Sequence, residues 1–188
     1  LIQEGPKNFL EKILLGFLWV LSCVYFIFSR LVFWAYQSKI LRKKCLPAPV
    51  ISIGNLTFGG TGKTPLTSLV AASLKKRGHE PVILIRGYMV SKGASDEVAL
   101  YKEILPQVLV EQGKNRFEAG LKALRQYPET DVFVLDDGFQ HWPLARSLDI
   151  VAIDATDPFG NGFLIPRGSL REPVSALKRE RRPNPRQY

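Results

Sequence analysis

At 188 residues, with 46% hydrophobic residues and a formal net charge of +9, the chain has room for one modest α/β domain plus an appendage. The charge is uneven: residues 1–48 carry seven Lys/Arg against two acids and residues 177–188 five against one, whereas residues 49–176 carry fourteen of each. A neutral central domain excludes a nucleic-acid-binding core, which needs its basic stripe on the fold itself, and Cys23 and Cys45, without metal or redox spacing, read as reduced structural thiols.

The first element is apolar. Ile13 to Ser29 contains no charge, and after Arg30 the run resumes as Leu31–Tyr36. A helix needs about 20 apolar residues to cross a bilayer core. Three readings compete: a membrane-embedded helix, spanning or lying in the interface; a cleaved signal peptide; and a buried soluble helix. The first is favoured. The second lacks a small-residue cleavage site. In a spanning pose Lys39, Arg42, Lys43 and Lys44 place the following domain in the cytoplasm, and the same cations can hold anionic headgroups. Trp19, Trp34 and Tyr36 suit an interface.

Pro47 and Pro49 join this segment to the domain. The spacing predicts a strand over 50–53, a helix over 64–77 closed by Gly78, a strand over 82–85, a helix over 96–104 and a short strand over 108–110. A helix over 116–127 and strands over 132–135 and 150–153 follow. Short apolar strands alternating with amphipathic helices imply a parallel sheet covered on both faces. The expected division is a membrane anchor and basic linker over 1–48, a phosphate-loop core over 49–176, and a disordered basic tail over 177–188.

Between the first strand and the first domain helix runs Gly54-Asn55-Leu56-Thr57-Phe58-Gly59-Gly60-Thr61-Gly62-Lys63-Thr64-Pro65. Such a loop lets backbone N–H groups close on phosphate oxygens at a helix N-terminus. Gly59, Gly60, Thr61 and Gly62 form the cradle. Lys63 reaches the β- and γ-phosphates, and the Thr64 hydroxyl ligates Mg²⁺. The strict pattern asks for glycine at 57, where this chain has Thr57; Pro65 fits a first helical turn.

Strand 132–135 ends in Asp136-Asp137-Gly138-Phe139-Gln140-His141. Strand C-termini share one sheet edge, so these carboxylates emerge beside the phosphate loop, where Mg·ATP needs an acidic partner. Asp96-Glu97 follows a Gly/Ser loop and is either a helix cap or a general base on a mobile segment. Asp154 ends a strand and reads as a turn or a site carboxylate. Arg171-Glu172-Pro173 reads as a surface ion pair or a site element, Arg86 as a phosphate-facing cation or a solvated one. His79 reads as a turn residue, and His141 is left open.

Together these segments resemble the tetraacyldisaccharide 4′-kinase family. The resemblance rests on 53–57, 59–65, Arg86-Gly87-Tyr88, Asp96-Glu97, 136–141, Leu144-Ala145-Arg146, Phe159-Gly160-Asn161-Gly162 and Leu170-Arg171-Glu172-Pro173, in this order. It implies an inner-membrane enzyme of Gram-negative bacteria with its catalytic domain facing the cytoplasm. That enzyme transfers the γ-phosphate of ATP, with Mg²⁺, to the 4′-hydroxyl of a tetraacyldisaccharide 1-phosphate in lipid A biosynthesis. By position, Asp96 becomes the base, Lys63 and Asp137 catalytic partners, Gln140 a nucleotide contact, and Thr64, Asp136 and Glu172 the metal shell. The implied partners are the lipid substrate and the membrane, with no nucleic acid and no obligate protein.

Two departures stand out. The stretch between Tyr88 and Asp96 is short for the family, and the family continues past Glu172 into a second lobe with a histidine that assists the base. The expectation is therefore a fragment, with weak ATP binding and slow or absent turnover. The alternative from another class is a membrane-tethered ATPase switch, or an inactive nucleotide-binding module. The lysine such switches carry early in the loop is absent from Asn55–Phe58.

Overall fold

The computed structural model describes residues 8–87 and 96–179. Tyr88, the polar loop 89–95 and the basic tail from 180 onward, each named in the sequence, lie outside the described residues. The chain divides into two compact units. One comprises the N-terminal helix up to Leu41, Leu56–Thr61 and Ile153–Arg179; the other comprises Arg42–Asn55 and Gly62–Ala152.

The second unit is the α/β core. Its five strands are β1 (Val50–Asn55), β2 (Pro81–Arg86), β3 (Leu109–Gly113), β4 (Val132–Leu135) and β5 (Leu148–Ala152). They form one parallel sheet in the order β3-β2-β4-β1-β5. The connecting helices are α2 (Lys63–Lys76), α3 (Asp96–Ile104) and α4 (Arg116–Gln126). Each predicted element is present, with strand and helix ends shifted by a few residues at most.

Strand alternation sorts the apolar side chains to two faces. Val50, Val82, Leu84, Phe133 and Leu135 pack with Ala119 and Ala123 of α4. Ile53, Ile83, Ile85 and Val134 pack with Ala71 of α2 and Val98 and Tyr101 of α3. Two covered faces explain why β2 and β4 read as continuous apolar runs rather than alternating ones.

Because β1 and β4 are neighbours, their C-terminal ends open at one sheet edge. The chain after β4 is pinned there by Gly138 N–H donating to the Ile53 carbonyl at 2.9 Å. Gly54 makes this approach possible: a Cβ on it would stand 2.5 Å from Phe139 Cβ and 2.7 Å from the Phe139 nitrogen. At the opposite end of the sheet, His79 Nδ1 pairs with Asp131 Oδ2 at 2.8 Å, joining the turns that enter β2 and β4. His79 is thus a turn residue, as its sequence neighbours indicate.

The first unit is built on α1 (Phe9–Gln37), longer at both ends than the apolar run alone marks. Asn8 N–H donates to the Glu11 carboxylate at 3.4 Å at its start. Arg30, the charge inside the run, lies over the Phe33 ring at 5.3 Å. Ser22 is the buried residue of this helix. Its hydroxyl donates to the Leu164 carbonyl at 2.8 Å and accepts from Arg167 N–H at 3.2 Å, while Tyr25 OH donates to the Arg171 carbonyl at 2.8 Å. The other faces of α1 carry exposed Phe9, Phe17, Val24, Phe28 and Trp34. The unit ends in a short 3-10 helix, Val174–Lys178.

Candidate functional site

In the α/β unit, Gly62 adopts φ 71° and stands immediately before α2. That left-handed conformation favours glycine and turns the chain into the helix. Lys63 and Thr64 therefore occupy the first turn, where N–H groups lack intrahelical partners and the helix dipole attracts anions. Leu66 N–H closes the first helical bond onto the Gly62 carbonyl at 3.1 Å.

Asp136 leaves β4 at the same sheet edge and is buried. Its Oδ1 accepts from Thr67 Oγ1 at 3.1 Å and from Asp137 N–H at 2.9 Å; its Oδ2 accepts from Tyr101 OH at 2.7 Å. Burial together with the Asp136 charge pushes the Tyr101 pKa up, so its hydroxyl stays a neutral donor. Asp137 takes φ 47°, uncommon for a non-glycine residue, and points Oδ1 to within 3.8 Å of Lys63 Nζ.

The loop that carries these carboxylates is held from below. Arg146, nearly buried, donates from Nη1 to the carbonyls of Gly138 at 2.7 Å and Phe139 at 2.9 Å, and pairs with Asp149 at 3.3 Å. Gln140 Nε2 donates to the Asn55 carbonyl at 2.9 Å, while its Oε1 has no hydrogen-bond partner among the described residues.

His141 sits among Arg116, Arg146 and Arg86. Burial first, then these three positive charges, lower its pKa to about 4, so the ring is neutral at physiological pH. Arg116 Nη1 stands 3.4 Å from Nδ1, which suits Nδ1 as acceptor.

Asp96 and Glu97 open α3 and both are exposed. The carboxyl of Glu97 is raised above its usual range by burial and then by Asp136 and Asp137, with Arg116 and Lys63 opposing. The Asp136 and Asp137 charges thus act on Glu97 across space, and Asp96 stands beside it at the start of α3.

In the first unit, Gly59 has φ 127° and Thr61 N–H donates to the Gly59 carbonyl at 3.2 Å. Phe58 N–H donates to the Ser169 carbonyl at 2.7 Å, and Arg171 N–H to the Leu56 carbonyl at 2.6 Å. The Arg171 guanidinium lies over the Phe58 ring at 5.3 Å. Glu172 is buried and pairs with Arg179. Thr61 Oγ1 and Glu172 Oε1 are buried without a hydrogen-bond partner among the described residues. Asp154 caps a turn, accepting from Thr156 N–H at 2.9 Å and Thr156 Oγ1 at 2.6 Å.

Among the described residues no three His, Cys, Asp or Glu cluster as a metal cage. The donors present are hydroxyls and carboxylates, the hard oxygen set that suits Mg²⁺ shared with phosphate oxygens rather than a thiolate or imidazole metal. Thr67, Tyr101 and Arg116 carry no motif that marks them in the sequence, and Leu144-Ala145-Arg146 carries the resemblance without indicating that Arg146 clamps the loop. Tyr101 lies in the stripe Val98-Tyr101-Leu105 and reads as core; its i,i+4 relation to Glu97 is the signal that was available.

A family model described as tetraacyldisaccharide-1-P 4′-kinase, LpxK, matches residues 14–181. A tetraacyldisaccharide 4′-kinase of Pelobacter propionicus is 41% identical, covering 95% of this chain and 54% of its own length. That of Geobacter metallireducens is 43% identical, covering 90% and 55%. Among solved structures, the "apo" form of LpxK from Aquifex aeolicus in complex with ATP superposes with a TM-score of 0.79 at 36% identity, covering 88% of this chain and 56% of that one. The chain spans about half the length of the curated relatives it matches.

Proposed function

The chain belongs to the tetraacyldisaccharide-1-P 4′-kinase family, and from that premise we propose that it serves transfer of the γ-phosphate of ATP to the 4′-hydroxyl of a tetraacyldisaccharide 1-phosphate, a lipid A precursor. The observation that carries this is the pairing of Lys63 on the first turn of α2 with Asp137, beside an Asp136 anchored to Thr67 one turn further on. A flexible cation, a fixed carboxylate and free helix N–H groups at one sheet edge are what phosphoryl transfer asks of a protein.

In this reading Gly59, Gly60, Thr61 and Gly62 bring backbone N–H groups to the phosphates, and Lys63 leaves Asp137 for the transferring phosphoryl group. Gln140 offers its unpartnered Oε1 to the nucleotide. Thr64 and Asp136 would hold Mg²⁺, and Glu172, with its unpartnered Oε1, is the metal-ligand candidate of the other unit. The bound cation supplies charge neutralisation at the β- and γ-phosphate oxygens. Asp96 takes the proton of the acceptor hydroxyl from the start of α3, beside Glu97.

The localisation proposed is the bacterial inner membrane, with the catalytic domain on the cytoplasmic side. The helix α1 is long and apolar enough to cross a membrane. Ser22 is near its midpoint, however, and bonds the segment that contains Arg167 and Arg171. A spanning pose would draw those cations and their backbone into the hydrocarbon, at several kcal/mol per unsatisfied group. An in-plane pose leaves them at the headgroups while the exposed faces enter the acyl layer. The substrate's acyl chains then stay in the bilayer while its sugar meets the α/β unit.

The test is transfer of labelled γ-phosphate to tetraacyldisaccharide 1-phosphate in mixed micelles, with Lys63→Ala beside it. Transfer lost in Lys63→Ala supports the kinase. Lipid-independent ATP hydrolysis without transfer would favour a nucleotide switch.

A further inference from the structure

We propose that Tyr101 is a positioning residue that ties α3, the helix bearing Asp96 and Glu97, to the metal-side carboxylate Asp136, so that occupation of the nucleotide site sets the place of the proton acceptor. This rests on the assignment of Asp136 to the Mg²⁺ shell.

The geometry is specific. Tyr101 is fully buried in the sheet face formed by Ile53, Ile83 and Val134, yet its hydroxyl emerges at the sheet edge and donates to Asp136 Oδ2 at 2.7 Å. Thr67 of α2 donates to the other oxygen of the same carboxylate, so Asp136 at the end of β4 joins α3 and α2. On α3, Tyr101 is one turn beyond Glu97, and i,i+4 side chains share a helix face. Glu97 in turn feels Asp136 and Asp137. Both oxygens of Asp136 are bonded by the protein, one to α2 and to Asp137 N–H and one to α3. The carboxylate therefore cannot rotate toward a ligand without moving the helix that holds its Oδ2.

A phenol serves this better than a purely apolar residue. The ring contributes to the core like a phenylalanine, and the hydroxyl supplies a directed donor that would otherwise be missing from a buried carboxylate. The ring itself needs no polar group for packing, since Val98, Leu105 and Val108 belong to the same apolar cluster.

The experiment compares wild type, Tyr101→Phe and Val98→Ala. Val98 is buried on the same helix but has no polar atom at the site. Binding of a fluorescent ATP analogue is measured with EDTA and across a Mg²⁺ titration, and amide hydrogen exchange of residues 96–104 is followed with and without Mg·ATP. In Tyr101→Phe, metal-free binding is expected to stay at the wild-type level. The Mg²⁺ needed for half-saturation rises about tenfold, the usual scale for an outer-shell partner. The protection that Mg·ATP confers on α3 is lost. Val98→Ala lowers the melting temperature but keeps the wild-type Mg²⁺ requirement. An unchanged Mg²⁺ requirement with unchanged α3 protection in Tyr101→Phe overturns the inference while leaving the nucleotide site intact. Absence of Mg²⁺-dependent binding in the wild type overturns the reading of the site and this inference with it.

Discussion

Lys63 Nζ stands 3.8 Å from Asp137 Oδ1, with both side chains partly open to solvent. A half-exposed pair at that distance contributes little to stability, of the order of 1 kcal/mol or less. Its interest is that the lysine is held at the helix N-terminus by a partner weak enough to be exchanged. Lys63→Ala is expected to weaken ATP binding by about 2 kcal/mol, roughly thirtyfold in Kd, by losing a charge-assisted contact to phosphate. Asp137→Asn keeps a residue that tolerates the left-handed conformation and should hold ATP within about threefold of wild type. Fluorescence titration of both variants separates the phosphate-binding partner from its resident counter-ion.

Gly54→Ala introduces a Cβ against both the side chain and the backbone nitrogen of Phe139. Overpacking of this kind costs about 1–3 kcal/mol. The denaturation midpoint should fall, and Phe139→Ala should not restore it, because alanine retains the Cβ and the backbone that collide. Recovery of the midpoint in the double variant would show that the ring, and not the close chain approach, sets the limit.

His141 gives the chain an acid sensitivity. Its folded pKa of about 4 lies below the unfolded value of about 6.5, so between these pH values the unfolded chain binds more protons. The stability that the neutral ring contributes is fully present above pH 6.5 and is lost as the pH falls toward 4. Urea unfolding at pH 7.5, 6 and 5 should show a declining midpoint, and His141→Gln should flatten that decline. The neighbouring Arg116, Arg146 and Arg86 remain charged throughout and add to burial in keeping the ring unprotonated.

The orientation of α1 is open to labelling. Single cysteines at Leu10 and Ser38 in a Cys23→Ser, Cys45→Ser background sit near the two ends of the helix. With the helix in the membrane plane, both react with an impermeant maleimide from the cytoplasmic side of inverted membrane vesicles. Reaction of Ser38→Cys alone would mark a spanning helix.

Much of this architecture was legible in the chain. Strands β2 and β4 announce themselves as apolar runs, and Gly62-Lys63-Thr64 leading into a helix marks where a phosphate would bind. What stayed hidden depends on distance in sequence. Tyr101 and Asp136 are 35 residues apart and meet only because the folded chain brings the Tyr101 hydroxyl of α3 to the end of β4. Leu144-Ala145-Arg146 marks a place in the family pattern, but the role of Arg146 is visible only where the loop carbonyls of Gly138 and Phe139 turn toward it. The base candidate shows the limit of local reading: two adjacent acids open one helix, and the carboxylates that raise the Glu97 carboxyl come from the distant end of β4. Ser22 and Tyr25 read as ordinary members of an apolar helix because their acceptors lie 142 and 146 positions away.

Those two hydroxyls also decide whether α1 is an interchangeable part. A simple anchor can be trimmed for solubility or swapped for another greasy helix without penalty to the domain it carries. Here removal takes away the donor to the Arg171 carbonyl and the acceptor of Arg167 N–H, and leaves the Leu164 carbonyl with Gly168 N–H alone; an all-aliphatic replacement does the same. The helix is therefore tied to the Leu164–Arg171 segment by directed hydrogen bonds and not by apolar contact alone.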